Sequence, residues 1–386
     1  MMPGYGKFTE KRMSMTNVHL IAAARPNFMK VAPLYHALKQ TDWANPVLVH
    51  TGQHYDHNMS DAILQDLRVP APDYHLGVGS GSHAEQMGNV MIAYEKVCLE
   101  HRPGWIVVVG DVNSTAACAM VGAKLWIPVV HLEAGLRSGD RRMPEEINRL
   151  VTDAIVDVLW TPSEDADENL LAEGVSADKI DRIGNIMIDS FEMLRETIAA
   201  ANTQNELGLT AGNYALVTLH RPSNVDAAES LTPIVDALVA ASQRLPIVFV
   251  AHPRTIKGLD TFDLTSRLSE SANVNLMDPL PYVQFMNLVT GAKVVITDSG
   301  GLQEETTYLG IPCLTLRENT ERPITVSIGT NKLIDASTLA ENLEAILDGN
   351  WPSGQRPPLW DGKTAERAVD ALKRRSELLE RLTRRD

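Results

Sequence analysis

The sequence predicts an α/β protein of two doubly wound domains, and three observations carry that prediction. Short β-branched runs alternate with stretches of helical periodicity along most of the chain. The runs are near-continuous in apolar character, as expected of parallel strands covered on both faces. The length of 386 residues exceeds what one growing core accommodates. A looser Ala/Asn/Thr-rich stretch from Ser190 to Asn213 separates two series of strands.

The first series reads VHLIAAA, PVLVHTG, WIVVVGD, PVVHLEAG, DVLWTPS and KIDRIGN; the second reads YALVTLH, PIVFVAHP, VNLMD, KVVITDS, PCLTLR and NKLID. Only the layout repeats between the halves. The expected boundaries are 17–195 for the first domain and 196–363 for the second, with a closing helix over 364–386 returning to the first. That helix is predicted because Ala365, Val369, Leu372, Leu378, Leu379 and Leu382 recur at helical spacing. The opening MMPGYGKFTEKRMSM carries charge without an apolar core, so it reads as a loose extension and not as a signal peptide.

Composition narrows the partners. Hydrophobic residues make up 44% of the chain, a globular value. No apolar run approaches the roughly 18 residues that span a bilayer, so no membrane partner is expected. The formal charge of -14 argues against nucleic acid held by bulk electrostatics, but leaves room for a few arginines gathered into one anion pocket. Cys98, Cys118 and Cys313 stand far apart among apolar neighbours and read as buried free thiols. This usage fits a reducing, cytoplasmic setting.

In doubly wound folds ligands collect at the carboxyl ends of the strands, and the polar clusters stand there. In AAARPNFMKVAP a strand runs into a helix carrying Arg25 and Lys30. Cations at a helix start oppose its dipole, so the pair is either an anion site or a solvated surface pair. TGQHYDHNMSD follows the second strand; His50, His54 and His57 lack metal-ligand spacing, so no metal is expected and the segment reads as a polar binding loop. GDVNST places Asp111 at a strand tip, as an acid or as a helix cap. The densest cluster is HLEAGLRSGDRRMPEEINR. There Pro144 suits the first helical position, and Glu145 and Glu146 suit the first turn. That account leaves out Glu133, a carboxylate directly after the apolar PVVHL, where burial and neighbouring charges tune an acid or base. Arg141 and Arg142 read as a solvated pair. In the second half His220 and Arg221 end one strand, and His252 and Arg254 another. TDSGGLQEE places Ser299, Gly300 and Gly301 between a strand and a helix, where open backbone N–H groups suit a diphosphate. Glu305, one turn on, suits a ribose diol, and Arg322 in RENTERP suits the phosphates.

These motifs, with TGQHYD, HLEAGLRS, PEEINR, RIGN, LVTLHR and LGIPCLTLR in the same order, resemble the non-hydrolysing UDP-N-acetylglucosamine 2-epimerases from Val18 to about Asp335. The resemblance implies the GT-B-like architecture, two Rossmann-like domains facing a central cleft. It implies reversible epimerisation at C2 of UDP-N-acetylglucosamine, giving UDP-N-acetylmannosamine through loss and re-addition of UDP and a 2-acetamidoglucal intermediate. It implies no cofactor, and it implies a homodimer. On this likeness Ser299, Gly300, Gly301 and Arg322 hold the diphosphate, Glu305 the ribose, and the segment from Leu280 to Phe285 the uracil. Arg25, Lys30 and His220 match the remaining substrate contacts. Asp111, Glu133 and Glu145 match the catalytic acids, joined by His220 as a candidate, while Arg149 belongs to the active-site region and Arg137 is a lesser candidate.

The chain also departs from the family pattern. Asn27 stands where the usual Gly-Thr-Arg-Pro-Glu opening has its acid, and the loop from Glu133 to Glu145 is short. Gln53 and His54 match the pair used by activator-dependent members, but GVGSGSHAEQ lacks their arginine, so allosteric activation is not expected. A related diacetamido or uronic-acid UDP-sugar, a GT-B glycosyltransferase, a hydrolysing epimerase and a non-catalytic nucleotide-sugar sensor stand as alternatives.

Overall fold

A computed structural model describes residues 15–23, 25–52 and 65–383, apart from the side chains of Arg25, Glu380, Leu382 and Thr383. The first half builds a seven-stranded sheet from β1 (Thr16–Ala22), β2 (Ala44–His50), β3 (Tyr74–His75), β4 (Trp105–Val109), β5 (Val129–Leu132), β6 (Val158–Thr161) and β7 (Ile180–Arg182), in the order β3-β2-β1-β4-β5-β6-β7. The second half builds a six-stranded sheet from β8 (Ala215–Thr218), β9 (Ile247–Val250), β10 (Val274–Met277), β11 (Val294–Thr297), β12 (Cys313–Leu316) and β13 (Asn331–Ile334), in the order β10-β9-β8-β11-β12-β13. Every pairing is parallel. The strand order reverses between β1 and β4 and again between β8 and β11, and these are the points at which such sheets open a crevice. The twelve strands expected from sequence are present; β3, only two residues long, carries too little pattern to be read.

Buried strands explain the apolar runs. All five residues of β4 and all four of β5, β6 and β9 are buried. The helices that matter for the cleft are α1 (Arg25–Lys39), α2 (His83–Glu100), α3 (Asn113–Lys124), α4 (Pro144–Ile155), α5 (Glu164–Ala172), α6 (Ile186–Ala200), α7 (Pro253–Thr261), α8 (Tyr282–Gly291), α9 (Gly300–Leu309) and α10 (Thr364–Thr383). Cys98, Cys118 and Cys313 are buried free thiols, as the sequence suggests.

Two expectations need correction. The stretch from Ser190 does not loosen into a linker; as far as Ala200 it belongs to α6, whose Phe191, Leu194 and Ile198 are buried. Asn185 caps that helix by accepting from the Met187 N–H at 2.9 Å. Helix α6 packs on α1 of the first half and on α8 and α9 of the second, so it ties the two sheets together through one continuous core. Closing helix α10 does return to α1 and α6, with Ala365, Ala368, Val369 and Leu372 buried. Its start is fixed by Asp189, which accepts from the N–H groups of Thr364 at 3.1 Å and Ala365 at 2.7 Å. Leu378 and Leu379, expected on the packed face, are 52% and 42% exposed, because the helix runs on past its partners. The side chain of Leu382 lies outside the described residues. Among the described residues no helix is long and apolar enough to cross a membrane.

Candidate active site

The carboxyl ends of the two sheets enclose a cleft of about 960 Å³, lined from the first half by Lys30, Asp111, Glu145 and Arg149 and from the second by His220, Ser299, Gly300, Gly301, Glu305 and Arg322. In the first half, each of these residues is placed by a strand tip or by the helix that follows it. Beyond β4 the chain turns at Gly110, whose φ of 66° and close approach to Lys30 Nζ, 3.3 Å from where a Cβ would stand, require glycine. Asp111 follows but does not cap α3: the N-cap is Val112, and the Asp111 carboxylate instead pairs with Arg149. Arg149, only 2% exposed, is shared with Glu146 through bonds of 2.9 and 2.6 Å.

Glu146 corrects an expectation, because it does more than start a helix. Its carboxylate accepts from the Ser138 and Gly139 N–H groups at 3.0 and 2.9 Å and from the Ser138 hydroxyl at 3.0 Å, clamping the loop before α4. Burial alone would raise its pKa, but the Ser138 N–H and Arg149 together hold it below the usual carboxylate range. Pro144 takes the first helical position as expected, and Glu145, one residue before the clamp, stays exposed at the cleft wall. Arg142 lines the cleft mouth while pairing with Asp140 at 2.9 Å.

Glu133 adopts φ 72°, the left-handed region, at a cost of roughly 1–2 kcal/mol for a non-glycine residue. Its N–H still donates to Trp160 at 3.1 Å. The side chain is 4% exposed and lies beneath Lys30, which it pairs with, so it meets the cleft through that lysine and is not a lining residue. Its Oε1 is buried with no hydrogen-bond partner among the described residues. Asn27 braces the same corner, accepting from the Ala23 N–H at 3.2 Å and donating to the Val109 carbonyl at 3.3 Å. An amide can do both; a carboxylate could not donate.

Sequence reasoning missed the support behind this wall. His131 is fully buried, with Nδ1 2.5 Å from Asp153 and Nε2 2.8 Å from the Gly110 carbonyl. It thereby links the Asp111 turn to α4. Asp153 also receives the Gly135 N–H at 3.0 Å and pairs with Arg137 at 2.7 Å. Arg137, a lesser site candidate, is thus turned away from the cleft, between Asp153 and Glu173. A histidine inside an otherwise apolar strand, VVHL, was the available signal.

In the second half Asp298, fully buried at the end of β11, orients His220. Its carboxylate lies 2.9 Å from His220 Nδ1 and accepts from the N–H groups of His220 at 3.1 Å and Arg221 at 2.8 Å. Burial would raise the pKa of Asp298, but these contacts, His220 foremost, hold it low. His252 stands 6.0 Å from the His220 ring and caps α7 through the Arg254 N–H at 3.1 Å. Burial, then His220 and Arg254, lower its pKa. Arg254 is spent on Asp226 at 2.6 Å, away from the cleft.

Ser299 is the N-cap of α9, yet its side chain makes no capping bond. A Cβ on Gly300 would stand 2.7 Å from Glu321 and 2.8 Å from Arg322, so glycine lets the helix start approach that ion pair. A Cβ on Gly301 would meet nothing within 4 Å among the described residues, so none of them demands glycine there; the open cradle suits a ligand anion at the helix start. Arg322 is held by Glu304 at 2.7 Å and Glu321 at 2.6 Å, and Glu321 in turn by Arg317 at 2.7 Å. Glu305 accepts from the Tyr282 hydroxyl at 2.6 Å, and burial pushes its pKa up to about 7. Leu280, Tyr282 and Phe285 line the same end. The Arg25 side chain, Gln53, His54 and His57 lie outside the described residues. Among the described residues no group of three potential ligands is placed to hold a metal ion.

Two parallel sheets with alternating helices, opposed across such a cleft, define a GT-B-like α/β protein. The chain belongs to the UDP-N-acetylglucosamine 2-epimerase family, whose family model, so described, matches residues 36–373. It is 40% identical over 366 residues to the UDP-N-acetylglucosamine 2-epimerase of Methanocaldococcus jannaschii, covering 92% of this chain and 98% of that one. The crystal structure of that enzyme in complex with UDP-GlcNAc and UDP superimposes with a TM-score of 0.83, over 92% of this chain and 99% of that one. A UDP-2,3-diacetamido-2,3-dideoxy-D-glucuronate 2-epimerase of Pseudomonas aeruginosa is 38% identical over 82% of this chain and 88% of its own. A lipopolysaccharide outer core galactosyltransferase shares the fold alone, at 12% identity and a TM-score of 0.55.

Proposed function

We propose that the protein interconverts UDP-N-acetylglucosamine and UDP-N-acetylmannosamine by eliminating UDP and adding it back. The observation that carries this reading is one cleft that brings the α9 start, Arg322 and Lys30, suited to a diphosphate, together with the acids Asp111 and Glu145 and, beneath Lys30, Glu133. C2 of the sugar has no adjacent carbonyl, so its proton is not acidic enough for simple exchange. Elimination avoids that problem: a base takes the C2 proton as the C1–O bond breaks, UDP leaves with the bonding pair, and 2-acetamidoglucal forms. A proton then returns to the opposite face of C2 as UDP adds to C1. Asp111, Glu133 and Glu145 share the proton-handling roles. Arg149 holds Asp111, while His220, oriented by Asp298, stands on the diphosphate side. Fixed N–H dipoles and cations stabilise the departing charge.

Glu305 takes the ribose, and the Leu280 to Phe285 segment the uracil. The lobes 17–195 with 364–386, and 196–363, close over the intermediate so that it is not lost. We infer a cytoplasmic homodimer as well; Ile92 and Leu99, seven residues apart on α2, are exposed at 59% and 66% and supply apolar surface for a second copy. The relative acting on a diacetamido glucuronate makes that sugar nucleotide the second reading.

The test is to incubate the purified protein with UDP-N-acetylglucosamine and read the sugars by NMR. UDP-N-acetylmannosamine is expected. Free N-acetylmannosamine with UDP would mark a hydrolysing enzyme, and no change would turn attention to the diacetamido substrate.

A further inference from the structure

Around Lys30 and Arg322 the two halves assemble an ion-paired cluster. Lys30 meets Glu133; Arg322 meets Glu304 at 2.7 Å and Glu321 at 2.6 Å; Arg317 meets Glu321 at 2.7 Å. By ion pairs, three cations face three carboxylates among the described side chains, with Arg221 a further cation close to Arg317 and Glu321. The cations that suit a diphosphate, Lys30 and Arg322, are also the ones that neutralise Glu133 and Glu304. A ligand bringing two phosphate charges into this cluster leaves it with excess negative charge, which its buried carboxylates tolerate poorly.

The three carboxylates differ in how well they withstand the loss of a cation. Glu321 keeps Arg317 as a second partner, and its pKa lies far below the carboxylate range despite burial, held there by Arg322 and Arg317. Glu133 has an amine with three N–H donors, able to bond a phosphate and the carboxylate together. Among the described residues Glu304 has one ion-pair partner, Arg322. It is 1% exposed, lines the cleft, and its Oε2 is buried with no hydrogen-bond partner among the described residues. Burial raises its proton affinity, Arg322 opposes that, Glu133 across the cleft adds to it and Lys30 subtracts. Glu305, next on the helix, is a further acidic neighbour.

We propose that Glu304 is a positioning residue that takes up a proton from solvent when the diphosphate of a UDP-sugar binds, which frees Arg322 to turn toward the phosphates. The inference rests on the nucleotide-sugar reading of the cleft. It explains an otherwise costly orphan oxygen: Oε2 is the proton's place. It also serves the reaction, because the leaving UDP gains negative charge beside Glu304, and a neutral carboxyl there does not repel it.

The experiment is calorimetric titration with UDP-N-acetylglucosamine at several pH values between 6 and 8, in two buffers of different ionisation enthalpy, for the wild-type protein and Glu304→Gln. Isomerisation exchanges no net protons, so the buffer-dependent heat counts protons taken up on binding. Because Glu305 is coupled to Glu304, the comparison is repeated with Glu305→Gln in both proteins, so that its titration does not enter the difference. The wild type is expected to take up more protons than the variant, the difference rising toward ~1 per site at its maximum. Equal proton counts at every pH, with binding intact, overturn the proposal and leave the site reading standing; no binding at all overturns the site reading and the proposal with it. Infrared difference spectra of the wild type alone provide a second measurement: a neutral-carboxyl band is expected on ligand addition, and its absence counts against the proposal whether or not the variant folds.

Discussion

At the scale of single residues, protonation decides what the nucleotide end of the cleft can do. Glu305 is buried, with its pKa pushed up to about 7, and in the proposed complex it is the ionised form that would accept from the ribose diol. In Glu304→Gln, where no proton uptake at Glu304 opposes it, UDP affinity is therefore expected to fall as pH drops from 8 to 6, approaching ~10-fold per unit below the Glu305 pKa. Glu305→Gln added to that variant should weaken binding and flatten that profile; a steep profile in the double variant would assign the titration elsewhere. Stability of the unliganded protein runs the opposite way. The folded pKa is raised, so the contribution of Glu305 is fully present below the unfolded value near 4.5 and is lost as pH rises through about 7. The loss is on the order of 3 kcal/mol. At pH 8 Glu305→Gln should melt higher than the wild type, and at pH 5 no higher. That Ser299, Gly300, Gly301 and Glu305 meet at the cleft was legible in the sequence, because a strand end, small residues and a helix start fix their place locally. Glu304 was not, because which of two adjacent glutamates meets an arginine depends on a distant loop.

Helix α4 shows at the next scale how one first turn divides its labour. Glu146 points back to clamp residues 138–139 and Arg149, while Glu145, about 100° around the helix, faces the cleft. Glu146→Ala leaves Asp111 as the one carboxylate on Arg149 among the described residues and is expected to cost about 3 kcal/mol, the usual cost of breaking a buried pair. Glu145→Gln should leave the melting temperature unchanged and depress turnover at least 100-fold. Thermal unfolding and turnover measured on both variants decide this; matching stability losses would erase the distinction. Sequence gave the helix start, through Pro144, but not this split, since both side chains satisfy the same dipole. Helix α10 teaches the same lesson: its periodicity shows the apolar face, but only the end of α1 and α6 shows where burial stops, leaving Leu378 and Leu379 in solvent.

At the scale of the whole molecule, two parallel sheets present their carboxyl ends to one cleft, and α6 carries a continuous core between them. The two series of apolar runs made the sheets legible, because parallel strands must be buried on both faces. The bridging role of α6 stayed hidden, since its polar Ala/Asn/Thr surroundings masked the buried stripe of Phe191, Leu194 and Ile198. Closure over a bound UDP-sugar should appear in small-angle scattering as a smaller radius of gyration with ligand than without; an unchanged radius would mean that the open cleft is already the working form. The central claim, that the C2 proton leaves and returns from solvent while UDP departs and re-adds, is tested most directly by running the reaction in heavy water. Deuterium at C2 of the recovered UDP-N-acetylmannosamine, with UDP-N-acetylglucosamine labelled as equilibrium is reached, is the expected result. Epimerised product that retains its original hydrogen at C2 would contradict it.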